Sequence, residues 1–525
     1  MRYRFRGIKT NIDVPMSDLP AVVADKLRVP ADCIKEFEVR RKSVDSRKKP
    51  YIQYVYTVDF DVDKRLRIPK KFSQDIIAVD IDSERPLPPS PGSSSLGSRP
   101  VVVGMGPAGL FAALELAKAG YSPLVLERGP AMDGRIDAVE RFRRDRLLDP
   151  EANMLFGEGG AGTFSDGKIG TGIKDSLIRE VLKEFRDAGA GDDIMYLAKP
   201  HIGTDVLREV IVNIRKKVER LGGEILFDTK LESLVIDDGR LKAVKIAGKG
   251  FSEARIIEAD ALILAIGHSA RDTFSMINTS GLVMQQKPFS IGVRMEHPQA
   301  LIDEAQYGKE NAGKLPPADY RINYKASNGR GVYSFCMCPG GEVVVCSTRD
   351  GELCVNGMSN RKRDSGTANS GILCDVRTED FGSDDVLAGV RFQEKYERLA
   401  FINGGGDFTA PSCSMGAFLN EAPEAAKVTD SLPSFAAEAI REAVPDFARK
   451  IHGYDDPSAV VTAVETRSSS PVRIVRDEHG ESNIKGVYPA GEGAGYAGGI
   501  TSAACDGIRA AWHIIERYHP RQQDL

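Results

Sequence analysis

The chain lacks any uninterrupted apolar run of eighteen or more residues, so no membrane-spanning helix is expected in its 525 residues. The opening residues, Met1-Arg-Tyr-Arg-Phe-Arg-Gly-Ile-Lys9, have no apolar stretch of the secretory kind. Cysteine is scarce, with eight residues, and no Cys-x-x-Cys spacing occurs. That excludes a disulfide-dense scaffold and leaves no zinc knuckle or iron–sulfur site to read. Reduced thiols and a cytoplasmic location are the expectation. An excess of one charge is lacking too. Lys plus Arg number 71 against 75 Asp plus Glu, a net charge of −4, so no global field favours nucleic acid or an anionic membrane. With 28% charged and 42% hydrophobic residues the composition is that of an ordinary globular chain, long enough for about two to four domains.

What is present starts at Val101-Val102-Val103-Gly104-Met105-Gly106-Pro107-Ala108-Gly109. A short β-branched run enters a Gly-x-Gly-x-x-Gly turn, and an Ala/Leu-rich helix follows at 110–119. A second apolar strand at 122–126 leads to Glu127, 21 residues after Gly106. Gly104 permits the tight turn, Gly106 lets backbone approach a pyrophosphate, and Gly109 lets helix and strand pack closely. The helix start offers free N–H groups and a positive dipole end, and Glu127 is placed to accept from a ribose hydroxyl. The motif by itself serves NAD and FAD equally. No second such unit, with its strand, helix and acid, is apparent for a separate NAD(P) domain.

Residues 1–83 read as a small α+β module, with strands at 3–14, 36–44 and 51–62 and a helix at 18–27 capped by Ser17 or Asp18. Its first 75 residues hold 18 Lys and Arg against 11 Asp and Glu. Docking to an anionic partner such as RNA is one reading; a solvated basic sheet face is the plainer one. Residues 84–99, rich in Pro, Ser and Gly, read as an extended linker. The first part of a Rossmann-like domain is expected at 100–282. Within it Thr204 is expected to cap a helix at 205–221, followed by a three-stranded meander at 224–227, 231–236 and 241–246. A substrate or cap domain is expected at 283–460, with a strand at 342–347, a polar loop at 351–375 and a helix at 386–401. Residues 461–525 return to the first fold and end on a Gly-dense turn and a helix at 501–517.

Three elements stand together: the 104–109 turn with Glu127-Arg128-Gly129, the strand ending Ala265-Ile266-Gly267, and Tyr488-Pro-Ala-Gly491-Glu492-Gly493. With them go Ala198-Lys-Pro-His-Ile-Gly-Thr-Asp205, Phe335-Cys-Met-Cys-Pro-Gly-Gly341 and Thr466-Arg-Ser-Ser-Ser-Pro-Val-Arg-Ile474. Across nearly its whole length the chain resembles the uncharacterised FAD-dependent dehydrogenases, within the glutathione-reductase-like FAD-binding superfamily. The resemblance implies an α/β fold: a Rossmann-like FAD-binding domain, an inserted α+β substrate domain and the small N-terminal module. It implies non-covalent FAD, with Gly104, Gly106, Pro107, Ala108 and Gly109 at the pyrophosphate and Glu127 and Arg128 at the adenosine side. Gly160, in the second Gly-rich loop Gly157-Glu-Gly-Gly-Ala-Gly-Thr-Phe-Ser-Asp-Gly-Lys168, and Gly267 would lie along the cofactor. Gly491 and Glu492 would approach the ribityl chain, and the amides of Gly498, Gly499 and Ile500 the flavin N1–C2=O edge.

Flavin would carry the hydride or electron chemistry, leaving the protein to position substrate and tune charge. The catalytic candidates are Cys336, Cys338, His268 and Lys168. On a strand, i and i+2 face the same way, so Cys336 and Cys338 can share a surface and exchange electrons with flavin; two buried small hydrophobes are the plainer reading. His201, one of seven histidines, is a further acid candidate, and Arg467 and Arg473 are candidates to hold an anion. No metal site emerges. The expected activity is an FAD-dependent oxidoreductase acting on a small molecule, with NAD(P)H as a possible donor. The alternatives are a flavoprotein that acts on RNA through the basic module, and an FAD-binding protein without turnover.

Overall fold

The structure is a computed structural model that describes residues 1–63, 66–80 and 86–520. Lys64 and Arg65, counted above among the basic residues, residues 81–85, which hold the expected 83/84 boundary, and 521–525 lie outside the described residues.

Three short apolar strands, Val101–Val103, Leu124–Leu126 and Leu262–Leu264, are buried on both faces. A strand of that kind belongs inside a covered parallel sheet. They form the centre of a five-stranded sheet in the order Val487–Pro489, Leu262–Leu264, Val101–Val103, Leu124–Leu126, Glu224–Leu226, with every pairing parallel. Helices Pro107–Lys118, Thr204–Arg220 and Ile500–Arg517 share the core on one face. Gly507 lets the last helix touch the first, because a Cβ there would collide with Ala108 O. The other face is covered by helix Arg271–Thr279 and a three-stranded antiparallel meander. Fully buried side chains such as Leu114, Ile263 and Ile514 contribute about 1.5–3 kcal/mol each by leaving water.

A second core is built on a six-stranded antiparallel sheet in the order Asn323–Lys325, Gly331–Cys338, Thr367–Val376, Phe289–Pro298, Val460–Glu465, Ser412–Ser414. Helices Ala388–Asn403 and Ser434–Lys450 pack on it. The N-terminal strands Arg2–Asn11, Lys35–Asp45 and Gln53–Asp61, with Ile76–Ala78, form a four-stranded antiparallel sheet, and helix Leu19–Leu27 covers one face. Some of its basic residues are paired: Arg4 with Asp59, Arg2 with Glu38 and Asp61, Lys9 and Arg47 with Asp45, Lys35 with Asp63. The module docks through backbone, with Lys42 N–H on Tyr196 O and Ala198 N–H on Lys42 O.

Several local expectations are corrected. The polar stretch 351–375 is not a loop: Cys354–Met358 and Thr367–Val376 are strands, the second running through the middle of the six-stranded sheet. Its polar character has an internal cause. Asn369 solvates the buried Arg294, and Gly371 leaves room where a Cβ would collide with the Glu465 carboxylate. The meander consists of Thr229–Asp237, Arg240–Gly248 and Arg255–Glu258, whereas Glu224–Leu226 is the edge of the parallel sheet. Periodicity does not separate a meander strand from a parallel one. Thr204 lies inside its helix, with Gly203 at the cap position, and its hydroxyl donates to Thr163 O. Asp18 caps the first helix by position but makes no side-chain capping bond. The described part of the 84–99 linker is pinned rather than free: Gly92 N–H bonds Ile515 O, Ser94–Ser95 pairs with Tyr518–His519, and Asp260 accepts the amides of Gly97 and Ser98.

Candidate functional site

The carboxyl ends of the parallel strands open onto a cavity of about 960 Å3. Val101–Val103 comes first of the five strands in the chain yet lies in the middle of the sheet, with later strands on both sides. Loops leaving such a switch point diverge and leave a crevice at the strand ends. One wall is made by the turns after Val103, Leu126, Leu264 and Pro489; the facing wall is made by strand Gly331–Cys338 and by Val355 and Asn356.

Gly104 sits in the left-handed region at φ 93°, and a Cβ on it would collide with Ala265 O. A Cβ on Gly109 would collide with Gly104 O, so only glycine lets the helix start this close to its strand. Gly106 differs. Its φ of −71° suits any residue, and a Cβ would meet only Gly160 Cα, at 3.7 Å. The missing side chain therefore keeps open the space before the helix start, where the Ala108 and Gly109 amides have no intrahelical acceptor. Pro107, as the first helical residue, has no N–H to satisfy. Gly160, at φ 71°, closes over it: a Cβ there would stand 3.1 Å from Gly106 Cα and Pro107 Cδ. Behind the turn, buried Glu127 accepts the Met105 and Gly129 amides at 2.9 Å each. Burial pushes its carboxyl up, against the pull of those amides. A carboxylate has about four lone-pair positions, so two amides leave capacity for hydroxyls from the cavity. These features fit a dinucleotide.

The remaining expected residues gather at the same cavity. Arg128 is held by Glu151 at 2.5 Å and Asp272 at 3.1 Å, with its guanidinium 4.4 Å over the Phe156 ring. Gly267, at φ 68°, has open space where a Cβ would be. His268 is buried, with Nδ1 3.3 Å from Glu492 Oε1, which ties the two strand-end turns together. Gly491 brings the last turn against the first helix: its N–H donates to Asp506 at 2.7 Å, and a Cβ would stand 2.7 Å from the Ala108 Cβ. Gly498 and Gly499 have open space around them, and Ile500 begins the last helix; the Gly498 amide already leans on Ser502 Oγ at 3.3 Å. Lys168 and Cys336 line the cavity, while Gly109 and Cys338 lie behind its wall.

Arg467 and Asp166 also reach the cavity, each held by ion pairs, whereas Arg473 and His201 do not line it. Arg467 forms a buried network with Glu397 and Arg271. Arg473 lies over the Tyr496 ring at 5.2 Å. His201 Nε2 donates to Arg361 O at 3.1 Å, and burial lowers its imidazole to about 4. Asp166 is bound by Arg363 at 2.7 Å and by the Ser359 hydroxyl.

Sequence reasoning passed over two buried arginines. Arg135 donates to the carbonyls of Asn153, Met154 and Glu158, and so holds the 153–158 segment in place. Arg294 donates to Glu465 at 2.8 Å, Asn369 at 3.0 Å, Asn356 at 3.1 Å and Cys336 O at 2.9 Å. Burial pushes Glu465 up to about 7, with Arg294 opposing the shift. A signal for this pair exists in the sequence. Arg294 stands between apolar Val293 and Met295 in a buried strand and Val460–Glu465 ends on a Glu, and a charge in a buried strand requires a partner.

Residues 288–468 match a family model described as FAD-dependent protein, C-terminal domain-like. Residues 7–61 match a domain of unknown function, DUF8436. A protein of Clostridium beijerinckii, called "Uncharacterized protein", is 43% identical over 537 residues, covering 99% of each chain. The flavin-containing monooxygenase FMO GS-OX4 of Arabidopsis thaliana is 26% identical over 194 residues, 36% of this chain and 39% of that protein. Among solved structures, L-proline dehydrogenase from P. horikoshii aligns over 81% of this chain and 93% of its own, at 14% identity and a TM-score of 0.34. With a full-length relative at 43% identity and the C-terminal model matched over 288–468, the chain belongs to this family of FAD-dependent proteins.

Proposed function

We propose that the chain is an oxidoreductase that binds FAD non-covalently in this cavity, in the manner of the glutathione-reductase-like fold. The observation that carries the reading is the start of helix Pro107–Lys118, where Gly106 and Gly160 bring backbone without side chains to the cavity wall, with the Glu127 carboxylate behind it. Residues 100–282 and 466–525 form the cofactor half in this reading, and 283–465 the cap over the reacting ring; the expected boundary at 460/461 cuts strand Val460–Glu465, which belongs to the six-stranded sheet. The Ala108 and Gly109 amides hold the pyrophosphate, and Glu127 accepts from the adenosine ribose. Glu492, steadied by His268, faces the ribityl chain, and the amides of Gly499 and Ile500 at the last helix start favour negative charge on the ring. Bound there, flavin supplies hydride or electron transfer. Lys168 places a positive charge at the cavity wall near the substrate, and the cap excludes water. The unpaired cysteines agree with a reducing, cytoplasmic setting.

The test is the visible spectrum of the purified chain, then anaerobic addition of NADH and NADPH in turn. The expected result is a bound flavin that bleaches with one nicotinamide. A colourless protein that cannot be reconstituted with FAD overturns the reading. A flavin reduced by dithionite but by neither nicotinamide leaves FAD in place and assigns the donor elsewhere.

A further inference from the structure

We propose that Cys336 and Cys338 form a redox-active dithiol in the cavity wall, Cys336 meeting the reaction partner and Cys338 closing the disulfide. The partner is the flavin of the proposed function, so this inference rests on that reading.

The two thiols do not meet through strand alternation. Strand Gly331–Cys338 pairs regularly with Thr367–Val376 as far as Phe335 opposite Gly371, and then jumps to Cys338 opposite Asn369. One extra residue is inserted there, a β-bulge, which bends a strand and re-aims a side chain. Cys336 takes up the irregularity at φ 40°, in the left-handed region where cysteine has no local preference to be. Tertiary bonds hold it there. Cys336 O accepts from Arg294 Nη1 at 2.9 Å and from the Cys338 thiol at 3.2 Å. Cys336 therefore lines the cavity half-buried, with Cys338 fully buried directly behind it.

The surroundings favour an anion at this place. Lys168 and Arg294 act on it, Arg363 lines the same cavity and shares Asp166 with Lys168, and the three cations have two carboxylate partners, Asp166 and Glu465. Arg294 Nη1 lies 3.9 Å from Cys338 Sγ. A thiolate on Cys336 balances the third cation. The titration behaviour agrees. Hydrogen bonding from Cys338, with Lys168 and Arg294 adding to it and burial opposing, holds Cys336 well below the usual thiol range. Cys338 is pushed the other way by the same bond and by burial. Burial also raises Cys346, Cys374 and Cys505 to about 12 and Cys413 to about 11, which leaves those thiols inert. For Lys168, burial acts to lower the ammonium, but the two thiols and Asp166 outweigh it and keep the charge.

Oxidation joins Cys336 Sγ to Cys338 Sγ. The Cys338 thiol would lose its proton and Cys336 would enter as the anion; an oxidised flavin held in the same cavity would take up the two electrons and that proton. Supply of electrons to that flavin from its donor runs the step in reverse.

Two measurements on the full chain test this, one needing no cofactor. Iodoacetamide labelling across a pH series, read by peptide mass spectrometry, is expected to find Cys336 reacting first and already below neutral pH. Lys168→Met is expected to move the midpoint of that profile upward; a one-unit rise in the thiol pKa slows labelling about tenfold at pH values below both midpoints. After treatment with diamide, fragment spectra are expected to show two hydrogens lost between Cys336 and Cys338, not involving Cys346, and no such loss in Cys338→Ser. Second, the FAD-loaded, pre-oxidised chain is expected to take up two electrons more from dithionite than Cys338→Ser does. Equal uptake, or a wild-type peptide that never loses its hydrogens while FAD is bound, overturns the dithiol and leaves the flavin reading intact. A disulfide that forms in a chain unable to bind FAD upholds the dithiol and overturns its flavin partner.

Discussion

Gly106→Ala separates the cofactor site from the fold more sharply than any other single change. At Gly106 the backbone is extended, with φ −71°, and an added Cβ meets only Gly160 Cα at the ordinary distance of 3.7 Å. The folded chain should barely register it, with a stability change within about 0.5 kcal/mol. The same methyl group occupies the approach to the Ala108 and Gly109 amides. A hydrogen bond to a charged oxygen is worth about 1.5–3 kcal/mol, so displacing the phosphate from one of them weakens FAD about 10- to 150-fold. Gly109→Ala is the counterpart. Its Cβ collides with Gly104 O, a backbone atom that cannot rotate away, and overpacking of this kind costs about 1–3 kcal/mol of stability. Urea unfolding of both apo-variants gives the stabilities, and titration with FAD, followed by quenching of flavin fluorescence, gives the affinities. Wild-type affinity in a folded Gly106→Ala chain would refute placement of the pyrophosphate at this turn.

Further outcomes follow from the buried charges. Arg294→Leu should cost about 3–5 kcal/mol, because Glu465 is left buried without its partner; the double variant Arg294→Leu/Glu465→Leu should recover part of that loss in urea unfolding, and no recovery would argue against the pair. Burial lowers His201 to about 4, whereas an unfolded histidine takes up its proton near pH 6.5. The folded state therefore holds a stability term that is complete above pH 6.5 and is lost as the pH falls towards 4, up to about 3 kcal/mol. His201→Gln should lose correspondingly less between pH 7 and pH 4, and parallel curves would sink the assignment. Arg135→Met should release the 153–158 segment from three carbonyl contacts, which limited proteolysis would detect as new cleavage there.

The cofactor half of the site was legible because its parts are local. Strand, turn, helix and acid lie within 27 residues, from Val101 to Glu127, and each follows from backbone sterics or from a helix end. The cap was read poorly because its logic is not local. The 351–375 segment looked like a loop for want of apolar residues, yet its small and polar side chains surround Arg294, brought to them from another strand. The pairing of Cys336 with Cys338 was read from strand alternation, whereas their juxtaposition in the fold comes from a bulge. The basic count of the N-terminal module carries no record of which basic residues the sheet sets beside Asp59, Glu38 and Asp45, because those pairs join different strands.

The sequence by itself thus determined a Gly-x-Gly-x-x-Gly turn at a helix start and an acid behind it, since glycine at a left-handed φ or against a carbonyl admits no substitute. Only the tertiary structure decided which charges are buried and which thiol faces the cavity. Arg294 and Glu465 are 171 residues apart, and Lys168 meets the Cys336 bulge from a different core. Desolvation and charge pairing act through space, and chain spacing carries no record of them.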